Sequence, residues 1–389
     1  MSAALALAVT NPVQWNWLSE SFDVPRLEPE QLTLGLPEPA AFDRNEEGVS
    51  LLVTEGGTQL YVAGFGLFVG KKSERVVVRQ GKRNIGEVAF LKLQEIIVGS
   101  KGVSFSSDLL EEACSRGVRV SFLGSGGRPF ALCTSPMLSA TCEIRSSQYE
   151  AVKSSVGAGL CKWIVAGKLR NQEKLLRYFA RNREDSSKEK LEKTANSLRV
   201  LRKKALLVEG ENCDAVRGSL MGYEGSGARM YWDCFGLILP ESAGFQGRMG
   251  RGAGDAVNAA LNYGYGILTA HVWGAVMNAG LEPFAGFLHV ERSGKPSLVL
   301  DLMEEFRQPV VDRAVFGGLL KGMTLKMKGD LLDAESKEAI AGRVMVRLHA
   351  REQHRGAEHQ VRSIVQMQAR TIAGAVRGRR TYRPYSFMW

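Results

Sequence analysis

An α+β chain, with a small β-sandwich domain ahead of a larger all-α-helical domain, is the fold class that three observations predict. Short β-branched and aromatic runs separated by glycines fill residues 47–139. From about residue 140 the apolar residues switch to a 3.6-residue period. The chain has 389 residues, 44% hydrophobic and 24% charged, which is enough apolar material for two cores.

Residues 1–46 carry Pro12, Pro25, Pro29, Pro37 and Pro39 with little periodicity, and read as a leader or linker. The β unit follows. Its strand candidates are 60–62, 67–69, 76–78, 95–98, 103–105 and 118–123, with one or two helical turns at 108–115 capped by Ser106, Ser107 or Asp108. The helical unit spans 140–389. Leu160, Ile164, Lys168, Leu169, Leu175, Leu176 and Phe179 share one helix stripe. Asp255 caps a further helix reaching residue 279.

Charge narrows the partner. The net charge is +10, a balance that favours a polyanion. Residues 162–204 hold fourteen Lys or Arg against five Asp or Glu, more one-signed charge than solubility needs. Arg343, Arg347, Arg351 and Arg355 step by four, which predicts a guanidinium row on one helix face. No apolar run approaches the roughly 18–20 residues of a membrane span, and the apolar start lacks a basic signal region. A cytoplasmic protein without a membrane partner is expected. The six cysteines are spread singly with no Cys-x-x-Cys pair, which argues against a zinc or iron–sulfur centre built on local pairs.

The chemistry-bearing set is scattered: Glu224 among small residues, His289 at the end of Gly286-Phe287-Leu288-His289, and Asp301 and Glu304 in Asp301-Leu302-Met303-Glu304-Glu305-Phe306-Arg307. Each has a bland reading as well: a salt bridge for Glu224, a satisfied core histidine for His289, a helix-dipole acid for Asp301 or Glu304. Together, carboxylates and one imidazole are what Mn²⁺ or Mg²⁺ takes as ligands. The glycine-rich run 244–255 lacks a Gly-Lys-Ser/Thr and reads as a basic loop, not a nucleotide cradle.

These segments resemble the CRISPR-associated protein one family, the spacer-acquisition integrase and endonuclease. So do Lys168-Leu169-Arg170-Asn171-Gln172, the run 255–265 and Gly294-Lys295-Pro296-Ser297-Leu298, all in order between about Leu60 and Trp389. The resemblance implies that the β domain dimerises and the helical domain is catalytic. It implies that Glu224, His289 and Glu304 hold Mn²⁺ or Mg²⁺, with Asp301 a further ligand or an acid behind them. Lys168, Arg229, Arg248, Arg251, Lys295, Arg307, Arg347 and Arg351 are the DNA-binding candidates. The implied partners are double-stranded DNA (prespacer and repeat), a second copy of the chain, a dimer of CRISPR-associated protein two, and in some members the trimming nuclease CRISPR-associated protein four. The implied reaction inserts prespacer DNA by 3′-hydroxyl transesterification at repeat ends. A metal-dependent nuclease, a transposon-type integrase of the same fold, and a non-catalytic DNA-binding scaffold are the competing readings.

Overall fold

The computed structural model describes residues 43–44, 48–54, 57–124, 126–133, 141–181, 183–250, 254–290 and 292–388. Apart from Asp43–Arg44, the proline-rich segment 1–46 lies outside the described residues.

Among the described residues, ten strands and one helix build the first unit: β1 (Asp43–Arg44), β2 (Val49–Thr54), β3 (Gly57–Val62), β4 (Leu67–Lys72), β5 (Arg75–Gln80), β6 (Arg83–Ala89), β7 (Leu93–Val98), β8 (Val103–Phe105), α1 (Ser107–Ser115), β9 (Arg119–Leu123) and β10 (Pro129–Cys133). They form a six-stranded sheet ordered β1-β2-β3-β7-β9-β10 and a four-stranded sheet ordered β6-β5-β4-β8. The pairs β3/β7, β7/β9 and β4/β8 are parallel, the rest antiparallel. Leu60, Ile96 and Val120 of the first sheet share a core with Val69, Val76 and Val78 of the second, and with Leu109 of α1. Alternation explains this: residues two apart point to one face, and both inner faces are rich in Val, Ile and Leu.

The second unit is helical: α2 (Thr141–Val152), α3 (Ser155–Ala180), α4 (Ser186–Leu206), α5 (Cys213–Ile238), α6 (Ala256–Asn278), α7 (Ser297–Met303), α8 (Arg313–Leu319), α9 (Ala334–His349) and α10 (Val361–Val376). A π-helical stretch, Arg307–Asp312, joins α7 to α8. Two short hairpins, β11–β12 (Met327–Lys328, Leu331–Leu332) and β13–β14 (Arg351–His354, Ala357–Gln360), flank α9. Asp185, Asn212, Asp255 and Asp333 accept first-turn N–H groups of α4, α5, α6 and α9, worth about 1 kcal/mol each. Phe179, Phe235 and Phe316 pin α3, α5 and α8 together, Phe235 stacking on Phe316 at 3.8 Å. No helix among the described residues is long and apolar enough to cross a membrane.

One expectation is corrected here. The four-residue arginine step does not lie on a helix face, because α9 ends at His349. Arg351 falls on a strand and Arg355 in its turn, at φ +55°.

The two units meet over the first sheet. Tyr61 and Tyr263 share a hydroxyl–hydroxyl bond of 2.9 Å, and buried Glu95 takes Arg119 and His271. His349 Nδ1 lies 2.8 Å from the Met345 carbonyl and Nε2 lies 3.0 Å from the Gln59 amide nitrogen. Nδ1–H therefore donates and Nε2 accepts, which requires a neutral ring. Burial pushes His349 down from 6.5 to about 4. An unfolded histidine binds its proton below about 6.5, so unfolding takes up a proton between those values and stability falls as pH drops through that window. The loss is roughly 3 kcal/mol at most. His349→Gln is expected to flatten the acid limb of a melting-temperature profile between pH 6.5 and 4; a limb identical to the parent chain's rejects this role.

Candidate active site

Glu224, Lys168 and Glu304 come from α5, α3 and the end of α7. Helices α3 and α5 approach closely because Gly227 has no side chain: a Cβ there would sit 2.4 Å from Leu169 Cδ2. That approach sets Lys168 Nζ 2.5 Å from Glu224 Oε1 and 2.8 Å from Glu304 Oε2. All three residues are buried, at 5%, 3% and 2% exposure. Arg307 closes the far side, 3.0 Å from Glu304 Oε1, with its guanidinium over the Tyr265 ring. Burial alone would depress the Lys168 ammonium, but the charges of Glu224 and Glu304 hold it above the usual lysine value. Glu304 shows the converse. Burial would raise it, yet Arg307, Lys168 and His289 bring it down to about 2.

His289 sits in the irregular segment between α6 and α7. Gly286 lets that segment lie against α7, since a Cβ would meet Ser297 at 2.6 Å. Asp301 then fastens it. Its Oδ2 accepts the Phe287 and Leu288 N–H groups at 2.6 and 3.0 Å, and its Oδ1 accepts the His289 N–H at 3.0 Å and lies 2.6 Å from His289 Nδ1. With Nδ1–H donated to Asp301, Nε2 carries the lone pair, the arrangement by which a carboxylate orients a ligating imidazole.

Asp301, expected as a further ligand or an acid behind the ligands, makes four hydrogen bonds to the His289 segment, the geometry of the second alternative. Asp301 and Glu304 share the last turn of α7 but serve different neighbours. Glu305 faces away: its carboxylate takes the Tyr385 N–H, the Tyr382 hydroxyl and the Gln368 amide. Burial pushes it up to about 8.

Among the described residues no three His, Cys, Asp or Glu side chains converge as a metal centre; the Lys168 ammonium takes the space between the two glutamates. The donor chemistry nevertheless suits a hard divalent cation. Glu224 Oε2 is buried with no hydrogen-bond donor, and Glu304 Oε2 is buried with the Lys168 ammonium 2.8 Å away. Oxygens of that kind, beside an imidazole with a free Nε2, are ligands for Mn²⁺ or Mg²⁺.

The basic candidates divide. Lys168 and Arg307 are inside the acid cluster, not on a surface track. Arg248 is buried and ties its loop to α6, donating to Asn258 Oδ1 at 2.9 Å and Asn262 Oδ1 at 2.7 Å. Arg347 is buried as well, donating to the Pro309 carbonyl at 2.9 Å and to Glu352. None of these four lies on an exposed surface: each guanidinium or ammonium has a partner within the fold. Arg229 and Arg351 are exposed, Lys295 is half-buried beside the cluster, and Arg251 lies outside the described residues. Helix α4 presents exposed basic side chains at Lys190, Lys193, Arg199, Lys203 and Lys204. Lys168 was visible as an anomaly: it is the one charged residue on the apolar stripe that runs from Leu160 to Phe179.

A two-sheet unit carried on a helical unit that gathers two glutamates, a lysine and a carboxylate-held histidine is the class this geometry defines. The family model for CRISPR associated protein Cas1 matches residues 60–339, and the chain belongs to that family. It is 35% identical over 352 residues to the CRISPR-associated endonuclease Cas1 1 of Archaeoglobus fulgidus, covering 85% of this chain and all of that one. Among solved structures it is similar to a casposase bound to its integration product, with TM-score 0.70, 21% identity and 84% and 93% of the two chains covered. It is also similar to a chain of a Cas6-RT-Cas1–Cas2 complex, with TM-score 0.68, 20% identity and 87% and 37% covered.

Proposed function

We propose that the chain is a metal-dependent DNA integrase and endonuclease that inserts prespacer DNA into a CRISPR array. The observation that carries the reading is the buried Glu224–Lys168–Glu304 cluster beside His289, in a chain whose relative is named an endonuclease and whose fold is shared with a casposase. Glu224 Oε2, Glu304 Oε2 and His289 Nε2 would hold Mn²⁺ or Mg²⁺. When bound, such an ion supplies Lewis acidity toward a phosphodiester and neutralises developing charge. Asp301 keeps His289 in the right tautomer. Arg307 and Lys168 present fixed and mobile positive charge to a phosphate. The bond changes balance without a co-reactant: a 3′-oxygen joins phosphorus, the repeat's own oxygen leaves, and one proton is exchanged for another. Water in place of the 3′-hydroxyl gives hydrolysis.

The exposed basic side chains of α4 suit duplex backbone, which is bound through phosphate without reading sequence. The proposed partners are prespacer and repeat DNA, a second copy of this chain, a dimer of CRISPR-associated protein two and, for trimming, CRISPR-associated protein four. The Cas2-containing complex of similar fold supports the third of these. The test is strand transfer of a short duplex into a repeat-bearing plasmid with Mn²⁺ and the small partner. His289→Ala is expected to be slower by about 10²-fold; equal products from both chains remove the metal-site reading. Likeness to the casposase favours one second reading, a transposon-type integrase, and integration that needs no CRISPR-associated protein two would select it.

A further inference from the structure

The cluster is electrically closed as it stands. Glu224 and Glu304 contribute two negative charges, and Lys168 and Arg307 two positive ones, all within contact distance. Asp301 is offset separately by three backbone N–H groups and the His289 ring. A dication entering this pocket would leave an excess of two positive charges at residues no more than 8% exposed, which is costly in a poorly solvated site. Two events relieve it: withdrawal of the Lys168 ammonium, or arrival of an anion. Lysine suits the first, having a compact charge on a flexible stem. A phosphodiester supplies the second, and gives the displaced ammonium a new partner. Arg307 is less free to leave, because its guanidinium lies over Tyr265, 4.8 Å from the ring centre.

We propose that Lys168 is a counter-ion switch: it holds the glutamate pair when DNA is absent, and so makes divalent-metal binding and DNA-phosphate binding reinforce each other. The inference rests on the metal-site reading above and adds a coupling that the reading does not require. Coupling between two ligands is reciprocal. Duplex must therefore tighten the ion, and the ion must tighten duplex by the same factor.

The test measures free Mn²⁺ by electron paramagnetic resonance, with and without a short duplex lacking any repeat sequence, so that no chemistry is read. In the parent chain duplex is expected to tighten Mn²⁺ by about tenfold. Lys168→Gln, which keeps a donor for Glu224 but removes the charge, is expected to bind Mn²⁺ about tenfold more tightly than the parent without DNA, with little further gain from duplex. Lys168→Arg keeps the charge and is expected to keep the weak DNA-free affinity. If Lys168→Gln does not fold by circular dichroism, Lys168→Met, with its similar unbranched stem, replaces it. Parent affinity that duplex leaves unchanged overturns the proposal, as does a neutral variant no tighter than the parent. Absence of Mn²⁺ binding to the parent chain even with duplex is a different failure, that of the metal site itself.

Discussion

Glu224→Gln is expected to lose strand transfer by about 10³-fold or more while the protein stays folded. The amide keeps the shape of the side chain and a hydrogen-bond acceptor for the Lys168 ammonium, now 2.5 Å from Glu224 Oε1. It removes the negative charge and the buried Glu224 oxygen that has no donor. Glu224→Ala is a harsher change. It leaves Lys168 with Glu304 alone in a site where Lys168 is only 5% exposed, so a fall in melting temperature is expected along with the loss of activity. On the proposed reading, the salt bridge and the chemical role, alternatives when Glu224 is read alone, are two states of one carboxylate. The pair of variants separates them: activity retained in Glu224→Gln would leave only the salt bridge.

The α+β order, sheets first and helices after, was legible in the sequence because period is legible. Runs such as 76–78 and 95–98 alternate or stay β-branched, and they fall within β5 and β7. Strand β6, Arg83–Ala89, was missed because its Arg-Asn-Ile-Gly-Glu-Val-Ala carries few β-branched residues and is half exposed. Parallel pairing of β3 with β7 was also out of reach, since it depends on where β4–β6 cross to the other sheet. At the site, Glu224, His289 and Glu304 stood out by residue type and setting. Their supports did not. Asp301's four donors are three backbone N–H groups and a ring nitrogen of a distant segment, and no spacing announces them. Charge was the least legible quantity. A count of arginines cannot tell a guanidinium that meets solvent from one that meets Glu352.

Arg347 is where that distinction has its largest effect. Its Nε donates to the Pro309 carbonyl at 2.9 Å, in the π-helical stretch that begins three residues after Glu304, and its other end grips Glu352. Glu352 is 7% exposed; it also takes the Tyr385 hydroxyl, and Arg313 stands 4.0 Å off. Arg347→Ala takes the nearest cation from that buried carboxylate and leaves it the Tyr385 hydroxyl and a guanidinium 4.0 Å off, at a cost of about 3 kcal/mol, a melting-temperature drop on the order of 10 °C. Arg351→Ala breaks only an exposed pair with Glu358, worth about 0.2–1 kcal/mol. If Arg347 were instead a phosphate contact, the effects would reverse: an unchanged melt and a DNA affinity whose salt slope falls by about one unit. Charge-removing changes at Lys190, Lys193, Lys203 or Lys204 are where that slope change is expected, because α4 presents those side chains to solvent. Removing both ends of the buried pair, Arg347→Met with Glu352→Leu, should recover much of the lost stability, since the penalty lies in the unpaired charge rather than in the pair. A double variant as unstable as Arg347→Ala would place the loss in the Pro309 contact, and with it the geometry of the segment that follows Glu304.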